Sequence, residues 1–372
     1  MPKITDVRAA LVRASLDTPT LFSTRSVLAR EFVLVRIEAD DGHTGIGFTY
    51  GGSSGGSVTT KAVRCLLRPM LIGEDPFRVE GLWEAMYHES LLQGRTGSVM
   101  RGLSAIDIAL WDRNARACGL PLYKMLGGYA QDSVRAYASG GYYLDGKTPT
   151  MLGEELARYC AMGFTGVKMK VGRLGLAEEE VRIATARDAI GSADLMLDCN
   201  NGWRDLQTAL RYMAVFEPYS PYWIEEPFLP DDLDSHAKLA QQTLVPVATG
   251  EIESGRWRFQ QILDKGAAMI LQPDAVCCGG ITEFRRIAQT AASHSVSVCP
   301  HAYHELHLHL AASLPNVPYC ECFVDDQIVN FRKLIDTQVE LRDGNLVLPK
   351  KPGLGFDFRE EMVTEYAVEP WG

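Results

Sequence analysis

From about residue 133 the chain alternates short apolar runs with longer amphipathic stretches. The apolar runs fall at 134–138, 165–170, 194–198, 222–225, 246–250, 268–272, 296–300 and 319–322. Helical spacing of apolar positions marks stretches between them, such as 176–190 and 281–294. Strands that alternate with helices predict a parallel sheet with helical crossovers. Eight such runs, each unit roughly 20–30 residues long, fit a (β/α) barrel better than an open sheet.

The first 130 residues or so read as α+β. Residues 31–38 (EFVLVRIE) predict a strand, Asp40-Asp41-Gly42 a turn and 43–50 the return strand. Helices are expected at about 57–72, 77–91 and 98–118. In the third, Leu103, Ile106, Leu110 and Trp111 share one face. The run Gly51-Gly52-Ser53-Ser54-Gly55-Gly56 lacks the Gly-Lys-Ser/Thr ending of a phosphate-binding loop and reads as a mobile surface loop. Beyond 325, Asp343-Gly344 is a turn between two short strands, followed by a loop at Pro352-Gly353-Leu354-Gly355. The expected organisation is α/β: an α+β unit over 1–130, a barrel over 131–325, and a segment over 326–372 that returns to the first unit.

Composition removes several function classes. With 372 residues, 46% hydrophobic and 23% charged, the chain buries a large core and is not disordered. Its net charge is −10, and no basic stripe suits nucleic acid. No run approaches the ~18 apolar residues of a membrane span, and the opening MPKITDVRAALVRASL lacks the layout of an export leader. Nine cysteines without the spacing of a disulfide framework fit reduced thiols in a cytoplasmic protein. Cys320 and Cys322 read as thiols on opposite faces of a buried strand rather than as a metal pair.

The chemistry lies where the strands end. Strand two closes on Lys168-Met169-Lys170, strand three on Asp198, and strand four on Glu225-Glu226-Pro227. Strand five closes on Thr249-Gly250-Glu251, strand six on Gln272-Pro273-Asp274 and strand seven on Pro300-His301; strand eight carries Glu321. From Lys170 the positions are 20 to 28 residues apart, about one βα unit each, so they gather at one rim. The C-terminal rim is where barrel active sites lie. Asp198, Glu225 and Glu251 offer hard oxygen ligands on adjacent strands, which suits Mg²⁺. Zinc is not expected, because His304-Glu305-Leu306-His307 lacks the second histidine of a zincin helix. His304, His307 and His309 read as helix-surface or packing residues, with His304 a candidate for the site mouth. Lys170 stands opposite His301 by strand order. Lys168 supplies a neighbouring cation that lowers the affinity of Lys170 for its proton. Asp274 is the natural partner to orient His301. A metal with a base on either side suits abstraction of a proton alpha to a carboxylate.

These residues resemble the enolase superfamily, mandelate racemase subgroup, along essentially the whole chain. The family's Lys-x-Lys falls on Lys168 and Lys170, its metal ligands on Asp198, Glu225 and Glu251, and its His–Asp dyad on His301 and Asp274. The resemblance implies that Glu321 hydrogen-bonds the substrate carboxylate and that Asn200 contacts substrate. It also implies an α+β capping domain over a modified (β/α)7β TIM-type barrel, and homo-oligomers. Residues 268–276 (AMILQPDAV) hold no lysine, which disfavours muconate-cycloisomerase-like and dipeptide-epimerase-like activities. Gln272-Pro273-Asp274, Pro300-His301 and the stretch 306–310 look similar to galactarate/talarate-type acid-sugar dehydratases. In the family, specificity comes from the capping loop, here residues 17–30, with Thr18, Thr20, Ser23, Thr24, Arg25, Ser26 and Arg30. A polar loop of this kind suits a hydroxylated acid, with Arg25 pairing the distal carboxylate of a diacid.

The expected function is a Mg²⁺-dependent acid-sugar dehydratase of carbohydrate-acid catabolism. Lys170 or His301 takes the alpha proton, and His301 protonates the departing 3-hydroxyl to give a 2-keto-3-deoxy acid. The alternative is a racemase or epimerase of a 2-hydroxy acid that uses the same two bases. A non-catalytic sugar-acid binder would not need both bases.

Overall fold

The computed structural model describes residues 1–130 and 132–372. Side chains at positions 17, 18, 326 and 327 are not described, so Thr18 of the polar loop lies outside the described residues.

The chain opens with three antiparallel strands, β1 (Ile4–Leu21), β2 (Ser26–Ala39) and β3 (Thr44–Gly52). The β2–β3 hairpin is the one expected, whereas the sequence pattern does not mark β1. Its alanines have little strand preference of their own; pairing with β2 from Ile4↔Ala39 to Leu21↔Ser26 holds it extended. Four helices follow: α1 (Gly56–Lys61), which runs on through tighter and wider turns to Met70, α2 (Val79–Glu89), α3 (Gly97–Ala117) and α4 (Leu122–Met125). Helix α3 lies directly on β3 because Gly45 and Gly47 have no side chain. A Cβ at either would stand 2.1 or 2.0 Å from the carbonyl oxygen of Ala109 or Ala105.

The barrel follows as β4 (Ser133–Ser139), α5 (Pro149–Ala161), β5 (Gly166–Lys170), α6 (Leu176–Ile190), β6 (Asp194–Asp198), α7 (Leu206–Phe216), β7 (Pro221–Glu225) and α8 (Leu233–Ala240). It continues through β8 (Val247–Thr249), α9 (Arg256–Lys265), β9 (Ile270–Leu271), α10 (Ala275–Cys278), α11 (Gly280–Ser293), β10 (Ser297–Val298), α12 (His304–Ala311) and β11 (Cys320–Cys322). All eight expected strands are present. Strands β4 to β10 lie side by side in order, and β11 pairs with β4, so the last strand stands beside the first. Inside, Tyr137, Met196, Trp223 and Ile270 pack together beneath the rim. Cys320 and Cys322 are two apart on β11 and so share a face, among the apolar side chains under the helices. This corrects the reading that put them on opposite faces; Glu321 alone points the other way.

The C-terminal segment visits both units. Its hairpin, β12 (Leu341–Arg342) and β13 (Asn345–Val347), adds to β4 of the barrel rather than going straight to the N-terminal unit. Only then does β14 (Ala367–Glu369) pair with β1, and Ala9 and Gly372 exchange backbone hydrogen bonds of 3.1 Å. Helix α3 fastens the cap to the barrel. Asp107 accepts from the backbone N–H (2.9 Å) and hydroxyl (2.6 Å) of Thr282, and Ser104 accepts from the N–H of Gly279 (3.0 Å).

Helix α12 is buried on every side, and His304, His307 and His309 are interior rather than surface residues. A buried imidazole needs partners for both nitrogens, and here distant backbone supplies them for two of the three. His309 accepts from the N–H of Tyr123 (3.2 Å) and donates through Nε2 to the carbonyl of Leu354 (3.1 Å), tying the barrel to the C-terminal segment. Burial pulls His309 down to about 4, with the Leu354 carbonyl opposing. Its folded value lies below the unfolded value of about 6.5, so between these the unfolded chain binds more protons and stability drops as the pH is lowered. We expect up to about 3 kcal/mol to be lost between pH 6.5 and 4 from this residue. Thermal melts across that window should show a steep decline that flattens in His309→Gln; equal slopes would refute the assignment.

Candidate active site

Strand register builds the site. In the parallel sheet Lys170 is the direct neighbour of Asp198, and Asp198 of Glu225. One oxygen each from Asp198, Glu225 and Glu251 lies within 4.8 Å of the others, and all three side chains are buried. Three buried carboxylates that close repel one another unless a cation sits among them. The donors are hard oxygens, and the set fits Mg²⁺.

In this structure ammonium groups carry that positive charge. Lys168 Nζ lies 2.7 Å from Glu225 Oε1, 2.8 Å from Glu321 Oε1 and 3.8 Å from Asp198 Oδ2, while Lys170 pairs with Asp198. On the other side His301 Nδ1 lies 3.1 Å from Asp274 Oδ2, and Nε2 lies 3.6 Å from Glu251 Oε2. Lys168, Lys170, Asp198, Glu225, Glu251, Asp274, His301 and Glu321 are therefore gathered at one rim, as their spacing predicts. Asn200 belongs there too. Its backbone N–H (2.9 Å) and Nδ2 (3.2 Å) donate to Asp198, and its Oδ1 is buried with no hydrogen-bond partner among the described residues. Arg25 is exposed at the mouth, its guanidinium 5.7 Å from the Phe22 ring.

The carboxylates reverse one expectation. Burial pulls the Lys170 ammonium down and Lys168 adds to that, but Asp198 wins and Lys170 is raised above its ordinary value. His301 is likewise raised, to about 10: burial works against its charge, but Glu251 and Asp274 outweigh it. Burial also disfavours the Glu321 carboxylate, yet Lys168 and His301 hold it down to about 2. Glu226, beside a ligand but away from the lysines, is raised well above its ordinary value by burial and by Glu251 and Asp198.

The turns after these strands hold left-handed backbone at non-glycine residues: Asn200 (φ 43°) and Asn201 (61°), Glu226 (44°), and Ala302 (52°) and Tyr303 (34°). Such conformations cost on the order of 1–3 kcal/mol each and cluster at functional sites. His307 holds one of them in place. Its Nδ1 lies 2.8 Å from the carbonyl of Ala302, and its Nε2 accepts from the N–H of Ala275, the residue after Asp274. Ala302 in turn donates its N–H to Glu321 at 2.6 Å.

Between cap and rim lies a cavity of about 260 Å³, a little below the usual range of ligand pockets and so suited to a compact ligand. Gly52 and Ser53, from the glycine-rich run read as a surface loop, line it. So do Arg30, Arg101 and Tyr303, none of which the strand-end pattern marks. An arginine in a helical stretch carries no local sign that it faces a cavity.

Residues 4–127 match the family described as "Mandelate racemase / muconate lactonizing enzyme, N-terminal domain", and residues 151–362 match "Enolase C-terminal domain-like". Arabinonate dehydratase of Saccharolobus solfataricus is 35% identical, over 90% of this chain and 90% of its own length. L-talarate/galactarate dehydratase of Salmonella typhimurium is 35% identical, over 88% of this chain and 81% of its own length. The crystal structure of L-talarate dehydratase from Polaromonas sp. JS666, complexed with Mg and L-glucarate, superposes with a TM-score of 0.90 at 34% identity, covering 100% of this chain and 99% of that one. With its cap, its barrel and its rim of acids and bases, the chain belongs to the mandelate racemase/muconate lactonizing enzyme family and is an enzyme of the enolase superfamily.

Proposed function

We propose that the chain is a Mg²⁺-dependent acid-sugar dehydratase that removes the proton alpha to a carboxylate and eliminates the 3-hydroxyl, giving a 2-keto-3-deoxy acid. The observation that carries this reading is the placing of two different proton carriers on either side of one carboxylate cluster. Lys170 touches Asp198 at one edge, and His301 lies beside Glu251 at the other, backed by Asp274.

Asp198, Glu225 and Glu251 hold the metal in this reading. Bound there, Mg²⁺ supplies positive charge that balances the negative charge growing on the substrate carboxylate. Lys170 takes the alpha proton through Nζ as the neutral amine, a form it reaches once the charge of Asp198 is balanced from elsewhere and only the cation of Lys168 acts on it. His301 gives a proton from Nε2 to the leaving hydroxyl, and Asp274 holds Nδ1–H and stabilises the imidazolium beforehand. Lys168 keeps a positive charge against the reacting carboxylate. Glu321 is ionised here and has no proton to donate. The hydrogen bond to substrate that the family resemblance implies for it therefore requires proton uptake with the substrate.

The test is a panel of acid sugars with Mg²⁺, read by semicarbazide trapping of a 2-keto acid. Formation of that product supports a dehydratase; inversion of the alpha centre with deuterium wash-in and no keto acid would make the chain a racemase. Metal removal gives a second expectation. Excess EDTA should abolish turnover, and adding Mg²⁺ to the stripped protein should restore it and raise the melting temperature by a few degrees. Full activity in EDTA, with no metal in the protein, overturns the assignment of the three carboxylates.

A further inference from the structure

The reacting end of the cavity is accounted for by the barrel, but the cap brings charge that this chemistry does not use. Arg30 on β2 and Arg101 on α3 both line the cavity. Their guanidinium carbons lie 5.4 and 6.0 Å from the ring centroid of Tyr50 on β3, so both cations border the same ring in the cavity wall. Arg30 is only 8% exposed. Its Nε donates to the carbonyl of Ile328 (2.6 Å), and Arg101 donates one Nη to the carbonyl of Tyr50 (2.7 Å). Neither makes an ion pair among the described residues.

For Arg30 that is unusual among the buried arginines of the described residues. The buried Arg113 pairs with Asp41, and the buried Arg182 lies 2.8 Å from Glu179. A buried charge without a counter-charge is costly. The nearby carboxylate of Asp274 is engaged by His301. The acidic neighbours Cys277 and Tyr303 stay neutral: burial pushes the thiol up to about 12 and lifts the phenol well above its ordinary value. The missing anion has to come with the ligand, and two guanidinium groups match a carboxylate by geometry and charge.

We propose that Arg30 and Arg101 seat a second carboxylate, so that the substrate is a dicarboxylic sugar acid, an aldarate, rather than a monocarboxylic aldonate. One carboxylate meets the rim and the other meets the cap. Arg25 lines the same cavity but is exposed at its mouth, where water screens its charge. This inference rests on the dehydratase reading and narrows it.

The experiment compares six-carbon aldarates with aldonates of matching configuration, by turnover and by ligand-induced melting shifts with Mg²⁺ present. In the wild-type protein kcat/KM should favour the accepted aldarate by at least about 100-fold, because an aldonate leaves the two cations unpaired. In Arg101→Gln and Arg30→Gln that ratio should fall by about 10-fold or more, with the loss in KM for the aldarate rather than in kcat. The wild-type comparison needs no variant and stands even if Arg30→Gln fails to fold. Equal use of both classes by the wild type, or a ratio unchanged in a folded Arg101→Gln, overturns the carboxylate seat and leaves the dehydratase reading intact. Turnover of neither class overturns the dehydratase reading, and this inference with it.

Discussion

Lys170→Ala is expected to lower turnover of the true substrate by at least about 10³-fold, within the range a positioned general base supplies. The fold should survive. Lys170 ends β5, but its side chain lies at the rim, against Asp198 and near the rings of Phe22 (5.2 Å) and Tyr142 (5.0 Å), rather than in the packed core. Metal binding should survive as well, because none of the three carboxylates lies on β5. Removing an ammonium that touches Asp198 takes away a competing cation, so Mg²⁺ affinity should hold or tighten. Steady-state rates and a calorimetric Mg²⁺ titration of the same variant check both halves. Retention of a tenth of the wild-type rate excludes Lys170 as the base.

His301→Asn is expected to abolish formation of the keto acid, and it separates the two proton transfers. Asparagine keeps a polar side chain of similar reach beside Asp274 but cannot carry a proton. If Lys170 alone takes the alpha proton, the variant still exchanges substrate alpha hydrogen with deuterated solvent while making no product. Loss of both exchange and product makes His301 the abstracting group. Exchange from only one enantiomer of a hydroxy acid identifies a racemase. NMR of recovered substrate after incubation in deuterated buffer reads all three results.

The site was largely legible because it is locally encoded. Each strand of a parallel barrel ends at the same rim, so Asp198, Glu225 and Glu251 could be grouped from their spacing alone, and register then makes Lys170, Asp198 and Glu225 direct neighbours. What stayed hidden depends on contacts between distant parts of the chain. Strand β1 is extended because β2 pairs along it. His307 and His309 are interior because Ala275, Ala302, Tyr123 and Leu354 bring backbone groups to them, whereas a histidine-rich helix alone reads as a wet surface. The protonation of Lys170 departs from what its sequence neighbours imply for a similar reason. The cationic neighbour Lys168 is two residues away and visible, but the carboxylate that outweighs it comes from the next strand.

The pairing of β14 with β1 bears on how the molecule is made. Leu11 and Val12 find their partners at Glu369 and Ala367, and Ala9 is held by Gly372. Synthesis at ~5–20 residues per second separates those partners by tens of seconds. For that interval the cap sheet can form from β1, β2 and β3, but this stretch of β1 waits with unpaired backbone groups, a surface that invites pairing with another chain. Arg13, half exposed on that strand, is the kind of charged residue that discourages such pairing. The native edge closes only after the barrel has been made.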